Sequence, residues 1–205
     1  MSNLRERIKA SFTDLNNDPW FPELTSALVA QKWKELRADT NLSPESYGTT
    51  RILRHSIDAP RFIIAVVNGP ALCCTQRTFV EYADPELAAS SENAGVTFYS
   101  INEIQTSSIL RCLRDAFNLL GYVDSVRETV EALVRSLHVI KPRDIYHDIS
   151  FSEPYIPFSI FVSIDKQRYA GDAVRLAEAV LHEAMHLQLT LVESVAPLLK
   201  PSGIT

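Results

Sequence analysis

The chain has 205 residues, 46% apolar and 22% charged, which is ordinary globular composition and enough to bury one sizeable core. Lys and Arg total 20 against 25 Asp and Glu, a formal net charge of −5, so composition does not supply the cationic surface that phosphate backbones require; nucleic acid is not an expected partner. The longest apolar run, 62–67, falls far short of the about 20 residues needed to cross a bilayer, and the charged N-terminus lacks the pattern of a secretory signal. A single cytoplasmic domain over 1–205, with no membrane partner, is expected. Three cysteines, two of them the adjacent Cys73 and Cys74, make no disulfide framework and read as reduced.

Apolar spacing predicts helices over 4–15 (Leu4, Ile8, Phe12, Leu15) and 23–37 (Leu24, Leu28, Trp33, Leu36), with Trp20 and Trp33 as docking anchors. A loop follows over 41–48, then a strand over 61–67 closed by Asn68-Gly69-Pro70. Residues 73–82 fit strand or helix, 84–95 read as exposed loop, and 96–100 alternate as a short strand. Helices are expected from Asn102 to a stop at Gly121, and from an Asp124 N-cap through Leu137. A loop with three prolines occupies 139–157 and a strand 160–164. The last helix, 172–195, should bury a stripe of Val174, Ala177, Val180, Leu181, Met185, Leu189 and Val192. The fold class is α+β, mostly helical with a small sheet.

One constellation carries chemistry. His182-Glu183-Ala184-Met185-His186 is an H-E-x-x-H pattern inside the last helix, and five His and fourteen Glu in this chain give about 0.01 chance matches. Residues four apart lie one turn apart on one helix face, so both imidazoles can address one divalent ion. Glu183, about 100° round the helix, then suits proton transfer at an oxygen ligand. His182 and His186 are the expected metal ligands and Glu183 the expected catalytic group, on a zincin-like metal helix.

A third ligand is not evident. Leu189 and Val192 stand where a metzincin continuation needs Gly and His. Glu193 lies two turns beyond His186, roughly 10 Å along the axis, and Glu178 one turn before His182 suits support of a ligand better than ligation. His147 is the candidate upstream ligand, while His55 and His138 read as ordinary residues. Zinc and iron both accept two histidines with open positions.

Residues 175–193, Arg-Leu-Ala-Glu-Ala-Val-Leu-His-Glu-Ala-Met-His-Leu-Gln-Leu-Thr-Leu-Val-Glu, with 148–163 ahead of them, resemble the HExxH-motif peptide-modification proteins found beside ribosomal peptide clusters, described as 2-oxoglutarate-dependent HExxH-type peptide β-hydroxylases. The resemblance covers about 100–205. It implies an oxidoreductase, a dioxygenase with Fe(II) held by His182 and His186, 2-oxoglutarate as cosubstrate, and a peptide substrate such as a ribosomal precursor peptide (RiPP biosynthesis). The family continues past this helix through a Pro-Trp-Arg-like segment and another His, which this sequence lacks. The chain is therefore a shortened member whose site a partner chain completes, a protein using His147, or a scaffold with altered activity. A zinc metallopeptidase with Glu183 as general base and a non-catalytic peptide- or partner-binding module are the alternatives.

Overall fold

The computed structural model describes residues 2–13, 18, 20–40, 50–56, 59–66, 72–73, 75, 77–81, 83, 88–89, 91–92, 95–106, 108–143, 148–154, 156–165 and 172–197. They form a mixed α and β fold, predominantly helical, with a small sheet. Helices α1 (Ser2–Thr13) and α2 (Pro22–Thr40) bury Ile8, Leu24, Leu28 and Leu36. Pro22 opens α2, where its missing N–H costs nothing. The backbone N–H of Trp20 donates to Asp18 Oδ1 at 2.9 Å and that of Phe21 to the Asp18 carbonyl at 3.0 Å, which sets the entry turn.

An antiparallel pair, β1 (Thr50–Ser56) and β2 (Ala59–Val66), makes a two-stranded sheet. Only its second strand is readable in the sequence, because Arg51, Arg54 and His55 interrupt the apolar pattern of the first. The main sheet has five strands: β3 (Leu72–Cys73), β4 (Phe79–Glu81), β5 (Ser136–Ile140), β6 (Ser150–Phe151) and β7 (Ser159–Ser163). Their order is β3-β4-β5-β7-β6, the central three parallel and the two edges antiparallel.

Helices α3 (Ile101–Thr106), α4 (Ile109–Leu120), α5 (Asp124–Leu133) and α6 (Asp172–Val195) complete the fold. Residues aligned across strands share a face. Val80, Leu137, Ile160, Val139 and Val162 point into the core shared with Leu113, Leu133 and Val180 of the helices. On the other face Phe161 stacks between His138 (4.8 Å between ring centres) and Phe151 (4.6 Å). Phe158 enters β7 with φ 61°, a left-handed conformation costly for a non-glycine residue. It is held there because its carbonyl accepts from the N–H groups of Arg135 and Ser136, and its ring stacks on Trp33 at 5.2 Å.

Several expectations are corrected. The predicted 102–120 helix is two, α3 and α4, broken at Ser108. Gly121 ends α4 with φ −71°, right-handed, so its stop does not use glycine's freedom. The N-cap of α5 is Val123, and Asp124 is its first residue. Leu137 lies not in that helix but in β5, all five of whose residues are buried; the run Val134–Ile140 kept a helix-compatible period while being a core strand. Of 73–82, which fit strand or helix, Cys73 and Phe79–Glu81 are strand, whereas in the expected loop 84–95 the described positions 88–89 and 91–92 are helical. Residues 96–100 form one bridge, Phe98 to Ile140, and no strand. The loop 41–48 and the turn 68–70 lie outside the described residues.

The rotation of α6 departs in part from expectation: Ala177, Val180 and Val192 are buried as expected, and Val174, Met185 and Leu189 are not. Its buried residues are Leu176, Ala177, Val180, Glu183, Ala184, Leu187, Leu191 and Val192, whereas Val174, Met185 and Leu189 are 61%, 46% and 40% exposed. Leu187 and Leu189 therefore make a matched pair. Leu187→Ala should cost about 2–5 kcal/mol, and Leu189→Ala well under half of that. Urea unfolding of both variants checks this, and equal losses would contradict the helix rotation.

Candidate functional site

The site is built on α6, a 24-residue helix with Asp172 in its first turn, where a carboxylate favours the helix dipole. One face packs on the sheet and on α4, so the helix cannot turn about its axis. Position 183 is thereby forced inward and positions 182 and 186 outward, since successive residues lie about 100° apart.

The histidines converge. Nε2 of His182 and Nε2 of His186 are 2.9 Å apart, the ring centres 4.5 Å apart and the rings inclined at 74°. Without an ion this contact is a hydrogen bond, with one imidazole donating and the other accepting. A separation of 2.9 Å also lets both nitrogens lie within the about 2.0–2.1 Å of a metal–imidazole bond from a common point. Both residues are exposed, so that point is open to solvent.

Glu183 is 2% exposed. Its Oε1 accepts a hydrogen bond of 2.8 Å from Ser150 Oγ on the edge strand β6. Burying a carboxylate without a donor is costly, so this bond is what makes the inward position tenable. Two hydrogen bonds from Gln188 fix the helix from outside, and a third lies within it. Gln188 Nε2 donates to the Trp20 carbonyl and to Thr25 Oγ1, tying α6 to the start of α2, and Thr190 Oγ1 donates to the His186 carbonyl at 2.9 Å.

Of the expected site residues, the structure brings His182 and His186 together and sets Glu183 behind them. Glu178 is exposed one turn earlier. His147 lies outside the described residues. Among those described, no group of three or more His, Cys, Asp or Glu is placed to hold a metal ion. His138 is a buried β5 residue stacked on Phe161.

Sequence reasoning missed Ser150. Nothing around it in the sequence marks it; only its register opposite Val162 on the helix-facing side of the sheet gives it a role. Within the sheet β7 is internal and β6 is the edge.

Ser150 also borders a pocket of about 60 Å³ between β6, the end of β7, the start of α6 and Cys112 of α4. Arg175 and Asp148, which bond at 3.2 Å, are among its lining residues. Cys112 is a free thiol, pushed up to about 11 by burial and then by the carboxylates of Asp172 and Asp115. No family model matches the chain, and no curated protein matches it as a relative. No helix among the described residues is long and apolar enough to cross a membrane.

The raised thiol predicts low reactivity. Alkylation of Cys112 at pH 8, followed by peptide mapping, should be at least about tenfold slower in the folded protein than in urea. Its folded pKa lies above the unfolded value, so its contribution to stability is complete below about pH 9 and is lost as pH rises through about 11. Cys112→Ala should flatten the fall in stability over that window; an unchanged slope would contradict the assignment.

Proposed function

We propose that this chain is a metal-dependent peptide-modifying enzyme in which His182 and His186 hold one divalent ion, most specifically an Fe(II)- and 2-oxoglutarate-dependent peptide β-hydroxylase. The observation that carries the metal reading is the 2.9 Å convergence of two exposed imidazole nitrogens on a helix whose rotation is fixed by packing. The donor set fits as a pair of neutral nitrogens, a type that suits Fe(II) and Zn(II) alike. The choice of iron, 2-oxoglutarate and a peptide rests on the resemblance of 148–163 and 175–193 to the HExxH-type peptide hydroxylases. An antiparallel edge strand beside the motif helix supports reading α6 as zincin-like, which is an argument from fold analogy.

When bound, iron with its cosubstrate supplies the oxidising power for C–H hydroxylation. The chain's own residues do the rest. His182 and His186 bind the ion, and the packed face of α6 keeps their nitrogens at a fixed separation. Glu183, with one oxygen engaged by Ser150, has the other for holding a proton or a hydrogen bond near the ion. A third ligand would come from outside the described residues, His147 or a partner chain.

The test is uncoupled turnover, which needs no peptide. Purified chain with Fe(II), O₂ and 2-oxoglutarate should release succinate, and His182→Ala and His186→Ala should each abolish it. Casein hydrolysis with Zn(II) alone, lost in Glu183→Gln, would replace the oxygenase with a metallopeptidase. No bound transition metal under any loading condition would leave a binding module.

A further inference from the structure

Resting on the reading of His182 and His186 as a metal pair, we infer that Ser150 is a positioning residue for that site: its hydroxyl holds Glu183 against the edge strand and keeps the carboxylate out of the coordination sphere.

An H-E-x-x-H helix has an intrinsic ambiguity. Its glutamate follows the first histidine directly, and a carboxylate on a flexible side chain is itself a good ligand for divalent ions. Something must decide whether Glu183 binds the ion or stands behind it. Packing of α6 turns position 183 inward, and within that constraint β6 fixes where its flexible carboxylate goes. Ser150 is aligned with Val162 and faces α6, and its Oγ donates to Glu183 Oε1 at 2.8 Å from 33 residues away in sequence.

The strand carrying Ser150 is itself pinned. The N–H of Ile149 donates to Ser163 Oγ at 2.6 Å, and the N–H of Ser163 donates to the Ile149 carbonyl at 2.8 Å. The hydroxyl thus arrives from a fixed direction, and the carboxylate it holds is 2% exposed while both histidines are open. Among the described residues no group of three or more His, Cys, Asp or Glu is placed to hold a metal ion. Supporting partners of metal sites, when removed, typically change metal affinity by about 10–100-fold.

Co(II) provides the probe, because its visible absorption reports the ligand set directly and needs no turnover. The wild-type chain titrated with Co(II) should give a band that depends on His182 and His186. Ser150→Ala should change that band and alter Kd by about tenfold or more, and Ser150→Thr, which keeps the hydroxyl, should restore both. In a Glu183→Ala background, Ser150→Ala should change neither. Glu183→Ala alone should keep histidine-dependent binding, which holds the inference to account even if Ser150→Ala fails to fold by circular dichroism.

A wild-type band and Kd in Ser150→Ala, a change that persists without Glu183, or loss of binding in Glu183→Ala would overturn the inference while leaving the metal pair standing. Absence of histidine-dependent Co(II) binding in the wild-type chain would overturn both.

Discussion

Everything at the candidate site depends on how α6 is rotated about its own axis. Leu176, Val180, Ala184, Leu187 and Leu191 occupy the core, and each is at most 5% or 6% exposed. Turning the helix by one residue position, about 100°, would pull these side chains into water, at a cost of about 1.5–3 kcal/mol for each large one. The rotation is therefore strongly determined, and the chemistry is a by-product of it. Positions 182 and 186 face outward with their ring nitrogens together, and 183 faces inward.

An inward glutamate is a problem that the fold must solve locally. The short strand β6 does so by presenting Ser150 to the carboxylate. The two residues of β6 thus serve different ends: Ser150 reaches the helix, and Phe151 stacks on Phe161 on the far side of the sheet. At the other end of α6, Gln188 ties the helix to the Trp20 carbonyl, which also accepts from Thr129 of α5 at 3.1 Å. Helix α6 is consequently braced against the sheet, α2 and α5, which suits a proposed site that must hold two nitrogens in fixed geometry.

The limits of α6 and the pairing of its histidines were legible in the sequence, because a long periodic segment and a four-residue spacing are local properties. The rotation of the helix was legible only in part. The expected stripe of 174, 177, 180, 181, 185, 189 and 192 shares 177, 180 and 192 with the buried face, but 174, 185 and 189 are exposed and 176, 184, 187 and 191 are buried in their stead, a choice made only by what packs against the helix. The strand β5 was hidden for a similar reason, since Leu137 continues the apolar period of the preceding helix. Ser150 had no local signal whatever, as its role exists only once β6 has paired with β7. By contrast Trp33 was correctly read as an anchor, because a large aromatic on an amphipathic helix has few other uses.

The central claim is that two imidazoles of α6 bind one ion while Glu183 stays out of the first coordination sphere. X-ray absorption at the iron edge of the anaerobically Fe(II)-loaded protein addresses it directly. The account predicts scattering from two imidazole ligands provided by α6, lost when His182 and His186 are both replaced and unchanged in Glu183→Ala. An iron environment without imidazole, or one that survives replacement of both histidines, would contradict it.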